Sequence, residues 1–400
     1  MKKILGTLLA VLFSFMAIND SAAQNTVLRF NKDGKFKIVQ FTDVHFKYGN
    51  PASDVVLERI GEVLDAEHPD LVIFTGDVVY SSPADKGMLQ VLGQVERRHL
   101  PFVVTFGNHD NEQGKTRAEL YDLIRGVAGN LLPDRGASPS PDYILTVKSS
   151  ADASKDAALL YCMDSHSYSS LKDVDGYAWL TFGQVSWYRA QSAAYTARNG
   201  GKPYPALAFF HIPLPEYNEA AANENAILRG TRMEKACAPQ LNTGMFAAMK
   251  EAGDVMGVFV GHDHDNDYLG INKGIVLGYG RVTGADAYGE LTRGARIIEL
   301  YEGKFRFDTW ITTPSGREAT YYYPSGLNSE EERTADYLPA VKNVSSPKQG
   351  VAYTYYEGKC KRVAGIASCL KVKEGVMKNI SIKEAAVADH FAYDFHTLIQ

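Results

Sequence analysis

The stretch Leu71–Asp110, LVIFTGDVVYSSPADKGMLQVLGQVERRHLPFVVTFGNHD, decides the fold. Leu71–Phe74 is a short apolar run, which predicts a buried strand. It leads into Gly76-Asp77-Val78-Val79-Tyr80. Leu89–Arg98 has helical spacing, and Phe102–Phe106 predicts a second buried strand that leads into Gly107-Asn108-His109-Asp110. Strands alternating with helices indicate an α/β core, and ligands of such folds sit beyond the carboxyl ends of the strands. Both polar clusters are placed there.

The same arrangement recurs on either side. Upstream, the strand predicted at Phe36–Phe41 ends at Asp43-Val44-His45, and Val55–Ala66 has helical spacing at Val56, Ile60, Val63 and Leu64. Downstream, a strand at Ala157–Met163 precedes a helix at about Gln184–Arg198. Ala206–Phe210 ends at His211. A short helix at Gly244–Ala252 precedes Val255–Val260, which ends at Gly261-His262-Asp263-His264. Gly274–Gly278 and Ala295–Trp310 read as later, more antiparallel strands.

Each cluster alone has an ordinary reading. Gly-Asp after a strand is commonly a turn, and a single histidine at a strand end is commonly a packing residue. Together they place carboxylates, an amide oxygen and imidazoles in one crevice. That donor set suits hard or borderline divalent ions. No CxxC pattern is present, so thiolates are not the metal donors. Two ions held close together can clamp a phosphate and generate hydroxide near neutral pH. The glycines before Asp77, Asn108 and His262 let the backbone turn sharply and approach the site closely.

Composition bounds the rest. The chain has 400 residues, 45% apolar and 22% charged, with 42 basic against 47 acidic side chains. This is an ordinary globular balance. The net charge of -5 gives no footprint for nucleic acid or an anionic membrane. Lys2 and Lys3, the apolar run Ile4–Ile18 and Ser21-Ala22-Ala23 form a signal-peptide pattern. Residues 1–23 are therefore expected to be cleaved, leaving no stable membrane span and an exported protein in the periplasm or at the cell surface. Residues 24–313 are expected to form the catalytic domain. Residues 314–349, polar and rich in Ser, Pro, Glu and Tyr, are expected to be a linker, and 350–400 a β-rich extension. Cys360 and Cys369 are close enough in sequence to bridge in an oxidising compartment. Cys162 reads as a buried thiol.

The order DxH, GDxxY, GNHD, isolated His and GHxH resembles the calcineurin-like metallophosphoesterases. His211-Ile212-Pro213-Leu214-Pro215-Glu216 and Gly261–Asp267 resemble more narrowly a branch related to purple acid phosphatases. The resemblance covers about Phe36–Ile298. It implies an α/β (α+β) four-layer β-sandwich of two mixed sheets flanked by helices. It also implies that Asp43, His45 and His264 hold one metal ion, Asn108, His211 and His262 a second, and that Asp77 bridges them. The ions would be divalent Fe, Mn or Zn. His109 would face the substrate as proton donor or charge stabiliser, with Asp110 orienting it, while metal-bound hydroxide attacks phosphorus. Purple acid phosphatases have DxG first and a ligating Tyr in GDxxY. Here His45 and Tyr80 are both present, so Tyr80 is either a ligand or a rim residue.

Arg281 is a candidate phosphate contact, and Asp164, His166, Tyr168, Glu216, Tyr279 and Tyr288 are weaker candidates for the pocket. Gly350–Phe395 resembles the opening strands of the β-sandwich modules named after anthrax protective antigen, which would let the extension bind glycan. The activity expected is hydrolysis of small phosphate monoesters. A phosphodiesterase on nucleotides or glycerophosphodiesters is the alternative within the same chemistry, and a non-catalytic glycan-binding surface protein the alternative outside it.

Overall fold

The computed structural model describes residues 26–223, 228–326, 350–358, 366, 369–382 and 390–396. The expected signal peptide and residues 327–349 of the expected linker lie outside these. No helix among the described residues is long and apolar enough to cross a membrane.

Two six-stranded mixed sheets form the main body. The first comprises β1 (Lys35–Phe41), β2 (Leu71–Thr75), β3 (Phe102–Thr105), β10 (Ala295–Tyr301), β11 (Phe307–Thr313) and β12 (Gly316–Tyr323), in the order β12-β11-β10-β1-β2-β3. The second comprises β4 (Tyr143–Lys148), β5 (Asp156–Cys162), β6 (Ala206–Phe209), β7 (Val255–Val260), β8 (Leu269–Asn272) and β9 (Ile275–Tyr279), in the order β4-β5-β6-β7-β9-β8. A separate antiparallel sheet joins β13 (Val351–Glu357), β14 (Leu370–Met377) and β15 (Phe391–His396), with β13 central.

The site lies where the parallel strands end. β1, β2 and β3 are mutually parallel, with Val39 beside Val72 and Ile73 beside Val103. β6 and β7 are parallel in the second sheet. These strands are buried on both faces, as their unbroken apolar runs require. Helices α1 (Pro51–Glu67), α2 (Ala84–Glu96) and α3 (Arg117–Arg125) follow the strands of the first sheet, and α4 (Phe182–Arg198), α5 (Glu216–Ala222) and α6 (Met245–Ala252) those of the second.

Local chemistry sets the helix limits. The Asn50 side chain accepts from the Ala52 N–H ahead of α1, Pro51 occupies its first turn, and the stripe Val56, Ile60, Val63, Leu64 is buried. Thr181 and Gln184 form a capping box at α4, and Thr116 and Glu119 another at α3.

Gly316–Tyr323 corrects the expected linker boundary. It is the edge strand β12, with Tyr321 beside Thr309 and Tyr323 beside Phe307. Its polar first half is exposed while Tyr321 and Tyr322 are buried, so the composition of an edge strand resembles that of a linker. Cys369 is disulfide-bonded. Cys360, its expected partner, lies outside the described residues.

Candidate metal centre

Every predicted metal ligand stands two to four residues past a parallel strand. Asp43 and His45 follow β1, Asp77 follows β2 and Asn108 follows β3. His211 follows β6, and His262 and His264 follow β7. Asp43, His45, Asp77 and His262 all have left-handed backbone, with φ of 51°, 47°, 52° and 83°. Non-glycine residues seldom adopt this region, and such residues cluster at functional sites.

The preceding glycines permit close approach. A Cβ on Gly107 would lie 2.1 Å from Asp77 Oδ1, one on Gly261 would lie 2.6 Å from Asp43 Oδ2, and one on Gly76 would lie 2.6 Å from His211 Nδ1. Gly76 also needs its φ of 90°.

Two triads result. Asp43, His45 and His264 each offer a ligand atom within 4.8 Å of the others, and so do Asp77, His211 and His262. Asp77 lies between them: its Oδ2 is 3.4 Å from His45 Nε2 and 3.2 Å from His211 Nε2. His211 Nδ1 donates to the Thr75 carbonyl at 2.7 Å, and His264 Nδ1 to that of Tyr288 at 3.2 Å. Each ring therefore presents Nε2 to the site, the usual orientation of a metal-binding histidine.

The Oδ1 of Asn108 has no hydrogen-bond partner, and the buried Nε2 atoms of His45 and His211 meet only the Asp77 carboxylate, without hydrogen-bond geometry. A buried orphan costs about 1–3 kcal/mol. Three in one crevice, beside two carboxylates, fit a pair of divalent ions.

Electrostatics follow from this crowding. Burial works against the Asp43 carboxylate, but His264 and His211 overrule it and lower its pKa to about 2. Asp77 is likewise opposed by burial yet held well below the usual range by His211 and His45. Burial also opposes protonation of His211, but Asp77 and Asp43 raise it to about 9. His262, buried and next to His211, falls to about 3.

His109 and Asp110 play different parts from those expected together. The Asp110 carboxylate accepts from the backbone N–H groups of Asp77, Val78, Val79 and Gly107, at 2.7–3.1 Å. It ties the β2 and β3 loops together and does not orient His109. That partner is Glu112, whose Oε2 lies 2.6 Å from His109 Nδ1. The other Glu112 oxygen accepts from Tyr168, which in turn accepts from Asn108 Nδ2.

Arg281 is no phosphate contact. It is buried and donates to Asp267, to the Thr292 carbonyl and to Glu318. Glu216 bonds Asn242, Tyr279 bonds Asp263, Asp164 pairs with Arg117 and His166 meets Gln184. None of these five residues faces the substrate space.

A cavity of about 240 Å³ opens over the triads, lined by Tyr80, His109, Tyr177, Cys237, Asp286 and Tyr288 among others. Tyr80 stands at its rim, 38% exposed, packed on His45 and His109 at 4.8 and 4.9 Å. Glu112, Tyr177 and Asp286 escaped the sequence reading. For Glu112 the signal was available, since residues three apart meet on one helical turn. Tyr177 and Asp286 sit on loops without a motif.

The profile of the calcineurin-like phosphoesterase family matches residues 36–266. The chain belongs to this family. Over 324 residues it is 32% identical to the probable inactive purple acid phosphatase 29 of Arabidopsis thaliana, covering 72% of this chain and 83% of that one. It is 30% identical over 286 residues to phosphatase DCR2 of Saccharomyces cerevisiae, covering 62% of this chain and 47% of that one. A dimetal phosphatase from Danio rerio superposes with a TM-score of 0.50 at 13% identity, over 74% of this chain and 99% of that one, which bears on the fold alone. With the family fold and both triads intact, the chain has the apparatus of a metal-dependent phosphoesterase.

Proposed function

We propose that this protein is an exported phosphatase that hydrolyses small phosphate monoesters at a dinuclear metal centre. The observation that carries the reading is the convergence of three orphaned buried donors, of His45, His211 and Asn108, on the space bounded by Asp43 and Asp77. Asp43, His45 and His264 would hold one ion, Asn108, His211 and His262 the other, and Asp77 both. Bound there, such ions supply positive charge that polarises the phosphoryl group.

The chain's own residues do the rest. Asp110 fixes the loops that carry Asp77 and Asn108. Glu112 holds His109 by Nδ1, so Nε2 is the nitrogen left to give a proton to the leaving oxygen. Tyr80 and Tyr288 wall the pocket. Export is supported by the Lys2-Lys3 pair and the apolar run after it. The phosphatase names of several relatives favour monoesters. Glycan binding by the C-terminal extension has only its resemblance in support.

The non-catalytic reading gains weight from the name "probable inactive" on the plant relative, but a vestigial site would be expected to lose donors, and here all seven are present. The test is parallel hydrolysis of p-nitrophenyl phosphate and bis-p-nitrophenyl phosphate by protein loaded with Mn, Zn or Fe. Faster turnover of the monoester supports the proposal. Faster turnover of the diester would replace it with the phosphodiesterase reading, and no turnover by folded, metal-loaded protein would leave the non-catalytic one.

A further inference from the structure

The pocket wall combines two features that the metal centre does not require. The first is a set of tyrosines, each packed on a ligand histidine. Tyr80 lies 4.8 Å from His45, Tyr177 4.2 Å from His262 and Tyr288 4.0 Å from His264, centroid to centroid. All three line the cavity and all remain partly exposed. They leave ring surface facing whatever is attached to the phosphate.

The second is the sign of the charge. Asp263 and Asp286 line the cavity, and among the described residues no Lys or Arg does. Glu112 stands just behind His109, and Glu234 accepts from the Tyr288 hydroxyl. Three bases close to the wall are committed. Lys47 is paired with Asp286 at 2.9 Å and lies over the Tyr80 ring at 5.6 Å. Arg117 is bound by Asp164 and by the carbonyls of Gly107 and His166. Arg293 is spent on the carbonyls of Ala287, Tyr288, Gly289 and Leu291. Metal ions can neutralise one phosphate; among the described residues no Lys or Arg lines the wall to receive a second.

Size adds a bound. A cavity of about 150 Å³ suffices for benzene, so about 240 Å³ holds a phosphate with one ring directly attached. Flat rings gain from aromatic neighbours through offset and edge-to-face contacts, beyond the area they bury.

Building on the phosphatase reading, we propose that the site selects monoesters carrying one phosphate on a flat, uncharged aromatic alcohol. Asp286, by holding Lys47, is the element that turns away esters with a second anionic group. The experiment uses the full-length, metal-loaded protein and measures kcat/KM for two matched pairs. Benzyl and cyclohexylmethyl phosphate differ in flatness but scarcely in the acidity of the alcohol released. Phenyl phosphate and 1,4-phenylene bisphosphate differ in the second phosphate.

The expected preferences are about tenfold for benzyl over cyclohexylmethyl and about tenfold for phenyl over the bisphosphate. Asp286→Asn, which keeps an oxygen for its contact with Asn50, frees Lys47 and should shrink the second preference to about twofold while sparing the first. A ratio near one for either pair in the wild type overturns the proposal, whatever the variant does. An unchanged second ratio in a folded Asp286→Asn protein overturns the role of Asp286. Loss of all turnover, p-nitrophenyl phosphate included, would instead defeat the phosphatase reading and this inference with it.

Discussion

Replacing Glu112 by Gln keeps the length of the side chain and an acceptor oxygen but removes the charge facing His109 Nδ1. In the wild type that contact is 2.6 Å long, with the His109 and Glu112 side chains 25% and 35% exposed. A hydrogen bond with a charged partner contributes about 1.5–3 kcal/mol. Solvent at this partly open position screens about half of that, leaving about 0.7–1.5 kcal/mol. If Glu112 supports the imidazolium that gives its proton to the leaving oxygen, kcat falls by about three- to tenfold. The loss should appear only where the leaving alcohol needs a proton. The assay is therefore kcat for benzyl phosphate against 2,4-dinitrophenyl phosphate, whose anion leaves unaided. An equal loss on both esters would show that Glu112 acts on structure rather than on proton transfer. A leaving-group-dependent loss in folded Asp110→Asn protein, with Glu112→Gln silent, would refute the assignment outright.

Asp110→Asn should act on the fold: whichever oxygen becomes the amide nitrogen, two of the four accepted contacts turn into donor–donor clashes in a buried loop junction, at a cost of about 2–4 kcal/mol, read as a lower Tm of metal-free protein. Gly107→Ala places a Cβ 2.1 Å from Asp77 Oδ1 and so displaces the shared ligand. Metal content measured by mass spectrometry should drop below two ions per chain while the circular dichroism spectrum is kept. The metal-free protein should be most stable near pH 6.5. His262, held at about 3, favours folding above 6.5, and that contribution is lost as pH falls toward 3. His211, raised to about 9, favours folding below 6.5, and that contribution is lost as pH rises through 9. Metal must displace the His211 proton, so the Tm gain on adding Zn should grow between pH 6.5 and 9.

Much of this was legible in the sequence because the chemistry demanded it locally. Asp77, Asn108 and His262 each follow a glycine at the end of an unbroken apolar run, and only that combination lets a ligand loop turn and approach its neighbours. The strand-helix alternation around Leu71–Asp110 likewise announced the parallel strands. What stayed hidden depends on tertiary partners. Asp110 beside His109 invited a pairing that four backbone amides claim instead, since an unsatisfied buried amide costs more than an unpaired surface imidazole. Arg281 follows a motif strand, yet Asp267 and Glu318 hold it in the interior. β12 read as a linker because an edge strand with one exposed half has linker composition. α3 was missed despite its capping box at Thr116 and Glu119.

The central claim is that two ions held through Asp77 perform the chemistry. Its most direct test measures bound metal and p-nitrophenyl phosphate turnover together, in wild type and Asp77→Asn. The account predicts two ions per wild-type chain, turnover abolished by chelator and restored by metal, and a folded variant lacking both full occupancy and activity. Turnover that persists in the variant at its wild-type rate, or in chelated protein, would contradict it.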